Sequence, residues 1–203
     1  MNIFFKQIRL IAAGLAIFLG LSAWAQNYHN PNSLNEAIEY PVIKDNKTRT
    51  AIINYQNKQA NILAKEYNVN LKRNNEVIVI TIPADLFFES NETALSHKAD
   101  DILFKIAQFL RVPGFYHVAL AMYHDNTGSP QYCKDMTDKR MQSICDWFAI
   151  NGNSNYVSCF SCGDKNPILP NNSMNNRRMN RRLEVYLIPD NTMFENAKRN
   201  LLK

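Results

Sequence analysis

The chain has 203 residues, with 23 Lys and Arg against 18 Asp and Glu and a formal net charge of +5. That length holds one ordinary domain plus extensions, and so mild a surplus gives no argument for nucleic acid as a partner. The basic residues concentrate locally, in Arg177, Arg178, Arg181 and Arg182, a run that fits an anionic partner, a solvated face or a set of internal ion pairs.

Residues 1–25 read as a secretory signal peptide. Lys6 and Arg9 precede an apolar run from Leu10 to Trp24, and the small residues Ala23 and Ala25 mark a cleavage site before Gln26. The competing reading is a retained membrane anchor, for which the run is short. All four cysteines, Cys133, Cys145, Cys159 and Cys162, lie in the exported part, where disulfides are permitted, and the sequence leaves their three full pairings open. Cys159 and Cys162 have the spacing of a redox pair or half a zinc site. The pair closes a strand-like segment instead of opening a helix, and no second metal half follows, so structural or free cysteines and no metal are expected.

Residues 26–47, rich in Asn with Pro31 and Pro41, read as a flexible or loosely packed spacer. From Thr48 a helical period sets in, with Ile52, Tyr55, Ala60, Ile62, Leu63 and Tyr67 near one face. Val69 and Leu71, a turn at Asn74-Asn75, and the β-branched run Val77 to Ile82 predict a hairpin whose second strand is buried on both faces. A loop over Leu86 to Asn91 follows, then an amphipathic helix from about Glu92 to Arg111 carrying Leu95, Ala99, Ile102, Leu103, Ile106 and Leu110. Phe115 to Tyr123 reads as a core strand. After the break at Asp125 to Pro130 helical spacing returns beyond Asp135, with Met136, Met141, Ile144 and Phe148 inward and Asn151-Gly152 as the stop. Tyr156–Phe160 and Leu183–Ile188 read as strands, Pro167–Met174 as a loop, and Met193–Leu202 as a short tail helix in the C-terminal stretch 191–203. The domain is expected over 48–190, as an α+β unit in which helices cover a face of a sheet.

Ala121 to Arg140 carries the candidate chemistry. Asp125 follows a strand end and Arg140 stands in the next helix, so the two can face one cleft, the carboxylate accepting from an ammonium and the guanidinium gripping a carboxylate. The plainer reading makes Asp125 a turn cap and Arg140 a solvated helix residue.

Five stretches taken together resemble the OmpA-like peptidoglycan-binding domain, the family of OmpA, MotB and Pal. They are the strand entering Pro83, Leu86 to Asn91, His124-Asp125-Asn126-Thr127-Gly128, Met136 to Arg140, and Asn176-Arg177-Arg178-Met179-Asn180-Arg181-Arg182-Leu183-Glu184. The resemblance covers a core of about 75–190. It implies a βαβαββ order with helices on one face of a mixed four-stranded sheet and no enzymatic activity or cofactor. It also implies that Asp125 and Arg140 hold the diaminopimelate of a peptidoglycan stem peptide, anchoring the cell envelope from the periplasm or outer membrane of a Gram-negative-type cell. Phe88, Glu89, Asn91, His124, Thr127, Arg177, Asn180 and Arg181 would line or brace the same pocket, with Asn180 and Arg181 more in a bracing role. Departures from the family pattern fall at Tyr123 and His124, at Glu89 in place of Asp, at Cys133 in place of Asn, at Met141 in place of Ala and at Asn176 in place of Gly. The alternative keeps the fold and makes the chain a periplasmic interaction module whose degenerate pocket no longer binds peptidoglycan and whose partner is an envelope protein. A third reading is a thiol or zinc enzyme built on Cys159 and Cys162. Membrane association would come only through the leader or a partner.

Overall fold

The computed structural model describes residues 34–202. The expected leader, and the spacer as far as residue 33, lie outside the described residues.

A one-turn helix, α1 (Leu34–Ala37), leads into a strap ending near Ile43. Helix α2 (Asn46–Leu63) starts where Asp45 accepts from the Thr48 amide at 2.8 Å, a side-chain cap that satisfies an orphan donor of the first turn. Its inward stripe is Thr48, Ile52, Gln56 and Ala60, whereas Ile62, expected on that face, is exposed. The buried Gln56 is satisfied: its amide donates to Glu76 O at 2.9 Å and its carbonyl accepts from Tyr116 Oη at 2.7 Å.

Strands β1 (Asn68–Lys72) and β2 (Val77–Pro83) form the expected hairpin, its turn taking positive φ at Arg73, Asn74 and Asn75. Then come α3 (Ala99–Ala107), β3 (Tyr116–Tyr123), α4 (Pro130–Asn151), β4 (Val157–Ser161), α5 (Met174–Asn180), β5 (Arg182–Pro189) and α6 (Asn191–Lys198). The sheet runs β1-β2-β5-β3-β4, antiparallel except for the parallel β3–β4 pair. The four strands of the expected mixed sheet are therefore joined at one edge by the first strand of the hairpin.

Alternation along the strands builds two apolar layers. Ile78, Ile80, Ile82, Val118, Leu120, Met122, Leu183, Val185 and Leu187 meet α2, α3, α4 and α6. Val77, Val79, Ala119, Ala121, Tyr123, Phe160, Tyr186 and Ile188 form the other face, against which Leu34 and Ile38 pack. This corrects the spacer reading: Leu34 and Ile38 are buried because a sheet with apolar residues on both faces needs a second cover, and Ile43 is buried in the helix-side layer.

Two helix boundaries also differ from expectation. The helix expected from Glu92 begins at Ala99, because the carbonyls of Glu89, Glu92 and Thr93 are bound by α4 side chains instead of a helical turn. Helix α4 begins earlier than its apolar stripe, at Pro130, with Ser129 as its cap and proline in the first turn. Met174–Asn180, beyond the loop expected over Pro167–Met174 and given no element by the sequence, is helical and capped by Ser173. Cys145 and Cys159 form a disulfide tying α4 to β4, and Cys133 and Cys162 are buried free thiols. No helix among the described residues is long and apolar enough to cross a membrane.

Candidate functional site

The loop after β3 is held from both sides. The parallel ladder continues past the strand end, with Cys162 N donating to Met122 O at 2.9 Å and His124 N to Gly163 O at 2.6 Å. This places Asp125, 1% exposed, at the mouth of the sheet. Its carboxylate accepts from the Thr127 amide at 2.7 Å, the local turn that Asp favours, and from the Arg181 guanidinium. His124 Nδ1 lies 2.9 Å from Asp125 O and 3.6 Å from its Oδ1. Burial pushes the Asp125 carboxyl up, but the Thr127 hydrogen bonds and Arg181 outweigh it and hold the group below its ordinary value, so it is an anion at neutral pH.

Cys133, on the first turns of α4, donates through sulfur to Asp125 O at 3.3 Å and Thr127 O at 3.5 Å. The loop thus keeps a tie at the position where the family's Asn was expected, with a weaker donor.

Arg140 projects from α4 and is 5% exposed. Its Nε donates to Glu92 O at 2.9 Å and its Nη2 to Glu89 O at 3.3 Å, while its guanidinium carbon sits 5.0 Å from the Phe88 ring centre. Those bonds fix the 87–98 loop and aim the remaining face of the guanidinium. Burial lowers the Arg140 pKa, with Tyr132 opposing and Arg181 adding to the effect, and a guanidinium keeps its charge throughout. Met141, which stands in place of the family's Ala, is fully buried in the core beside it.

Asp125 and Arg140 line one cavity of about 410 Å³ together with Phe88, Glu89, Asn91, His124, Thr127 and Arg181. Eight of the ten residues singled out in the sequence therefore meet there. Arg177 and Asn180 do not. Arg177 donates to Asn171 O at 3.1 Å, and the fully buried Asn180 accepts from the Ile168 and Leu169 amides and donates to Leu169 O, so both shape the 166–171 loop. Arg181, read mainly as a brace, pairs with the Asp125 carboxylate inside the cavity.

Sequence reasoning missed Tyr132, Asp85 and Ser90. Tyr132 stands edge-on to His124 with ring centres 5.9 Å apart, and its hydroxyl is 3.5 Å from Asn91 Oδ1, closing one wall. Ser129-Pro130 was the available signal, since a cap and a proline there put Tyr132 in the first turn beside the loop. Asp85 at the rim is paired with Arg178 at 2.5 Å. Among the described residues no group of His, Cys, Asp and Glu has the arrangement of a metal site.

The cavity that brings Asp125, Arg140 and Arg181 together sits on a five-stranded mixed sheet with helices packed against it, and solved structures share that fold. A putative MotB-like protein from Desulfovibrio vulgaris superposes with a TM-score of 0.60 at 19% identity, covering 71% of this chain and 96% of that one. The cell wall anchor of the T6SS from Pseudomonas aeruginosa gives 0.52 at 23% identity, covering 68% and 97%. In sequence, the chain is 24% identical over 122 residues to the probable lipoprotein YiaD of Escherichia coli, which is 60% of this chain and 56% of that protein, so the match spans little more than half of the relative's length. No protein-family model matches the chain.

Proposed function

We propose that this chain is a non-enzymatic anchor that binds peptidoglycan through the diaminopimelate of the stem peptide. The observation that carries the reading is that Asp125 and Arg140, fifteen residues apart, line one cavity. The free end of diaminopimelate bears an ammonium and a carboxylate on one carbon. Asp125 takes the ammonium: its two oxygens offer about four acceptor positions, of which the Thr127 amide and Arg181 occupy two. Arg140 takes the carboxylate with the guanidinium hydrogens not committed to Glu89 and Glu92. Recognition then requires both charges, and lysine in a stem peptide supplies only the ammonium. A modest affinity per site is sufficient, because a wall presents many copies of the ligand. The reading places the chain, exported by its leader, in the periplasm or at the outer membrane, with the wall as its main partner.

The alternative, an interaction module whose pocket no longer binds the wall, draws on the same ion pair, since Arg181 already neutralises Asp125. Pull-down on purified sacculi separates the two. Retention on diaminopimelate-type wall, weaker retention on lysine-type wall, and loss with Asp125→Ala or Arg140→Ala are expected for the anchor. Equal retention on both walls, or retention that survives both substitutions, overturns it.

A further inference from the structure

A second cavity, of about 450 Å³, lies on the sheet face turned away from α2, α3, α4 and α6, and no residue lines both it and the Asp125 cavity. One wall is the strap at residues 37–41, and the floor is the sheet where β3, β4 and β5 run side by side. Ile38, Ala119 and Ile188, all buried, give it an apolar surface. Across that floor His117 of β3 and Ser158 of β4 are joined, Nε2 to Oγ, at 2.7 Å.

Two carboxylates complete the lining, Glu39 from the strap and Asp190 from the end of β5. Both face His117: burial holds its imidazole below the ordinary value, and Asp190 and Glu39 pull the other way. Among the described residues neither carboxylate forms an ion pair. Asp190 caps α6, one oxygen accepting from the Asn191 amide at 2.7 Å, and no cationic side chain pairs with it among the described residues. The volume falls within the roughly 300–1,000 Å³ range of small-ligand sites, enough for a few side chains and too small for a folded element.

We propose that this cavity is a docking site for an extended segment of a partner protein in which aliphatic side chains alternate with lysine or arginine. Lysine and arginine carry a charge at the end of an apolar stem, so the stem lies on the floor of Ile38, Ala119 and Ile188 while the cation reaches Glu39 and Asp190. An anionic ligand is repelled by the two carboxylates. A wholly apolar one would strip water from both carboxylates without replacing it, which is unfavourable. Because the cavity shares no lining residue with the Asp125 site, occupancy here is independent of wall binding, and the inference stands or falls apart from that reading.

The test uses the full chain and three fluorescent nine-residue peptides, alternating Leu and Lys, Leu and Glu, and Ser and Lys, followed by fluorescence anisotropy, and binding of the Leu-Glu peptide equal to that of the Leu-Lys peptide overturns the proposal. Binding of the Lys peptide is expected, with at least tenfold weaker binding to Glu39→Gln/Asp190→Asn, a pair of changes that keeps side-chain size and the cap on Asn191. Ala119→Leu, which fills the floor, is expected to weaken it similarly, while Asp125→Ala leaves it unchanged. Circular dichroism of each variant must match the parent, and a variant that fails this check is replaced by Ser158→Leu. No binding of the Lys peptide overturns the proposal, as does equal binding to the double variant. Equal binding of a Ser-Lys peptide, which would reduce the contact to charge alone, overturns it too. A concentration-dependent dimer abolished by the same variants would assign the face to a second copy and overturn it as well.

Discussion

Arg181 and Asp125, fifty-six residues apart, form an ion pair inside the cavity, with the carboxylate fully shielded and the guanidinium about a third exposed. Removing the acid leaves the guanidinium without its partner, so Asp125→Asn is expected to destabilise the fold by about 1–3 kcal/mol at neutral pH. The Asp125 pKa is lower in the folded protein than in an unfolded chain. A depressed acid contributes stability that is present above the unfolded value, near pH 4, and is lost as pH falls through the folded value. The gap between parent and Asp125→Asn in urea unfolding should therefore be largest near pH 7 and shrink steadily below about pH 4. A gap that stays constant down to pH 2 would show that the ion pair is not its source.

Arg140 makes its two backbone contacts with different nitrogens, Nε to Glu92 O and Nη2 to Glu89 O. Lysine has one nitrogen and cannot hold both carbonyls and a ligand carboxylate in a plane. Arg140→Lys is expected to lower retention on diaminopimelate-type wall at least about tenfold, equivalent to about 1.4 kcal/mol. Faster hydrogen exchange over residues 87–98 should accompany it, the Ser96 amide bonded to Phe87 O being the reporter.

Much of this arrangement was legible in the sequence, for reasons that differ by element. Strand β2 and the stripe Met141, Ile144 and Phe148 were readable because alternation and helical period are written in residue type. Asp125 and Arg140 were paired from their places at a strand end and in the next helix, and the six other residues that share their cavity were named through resemblance. What was hidden depends on partners distant in the chain. Nothing in Glu92 to Lys98 announces that α4 side chains take the carbonyls of residues 89, 92 and 93, so an amphipathic pattern overran the true start of α3 at Ala99. The burial of Leu34 and Ile38 could not be read from an Asn-rich stretch, because it follows from the apolar second face of the sheet. Arg181 could be placed near the pocket, but its pairing with Asp125 requires the register that sets β5 beside β3.

The Cys145–Cys159 disulfide spans 14 residues and joins the later half of α4 to the edge strand β4. A cross-link of that span contributes about 3 kcal/mol through the unfolded state in the chain-entropy view. Cys145→Ser/Cys159→Ser, or the parent under reducing agent, should lose roughly that much in guanidinium unfolding. Wall retention should persist, because Arg140 is fixed by the 87–98 loop and not by the disulfide. Binding that disappears on reduction while the fold survives would contradict this division.

Gly128 sets the bend between Asp125 and the cap of α4, with φ at +101°. A methyl group there would stand 2.8 Å from Tyr132 Cδ1, closer than carbon atoms approach without displacement. Gly128→Ala therefore combines a backbone cost of about 1–2 kcal/mol with a push on the ring that walls the cavity. The two effects separate in a double-mutant cycle. Tyr132→Ala in the Gly128→Ala background should recover the clash and leave the backbone cost, giving a coupling of at least about 0.5 kcal/mol in urea unfolding. Additive losses would mean that Tyr132 moves aside freely and does not hold the cavity wall against His124 and Asn91.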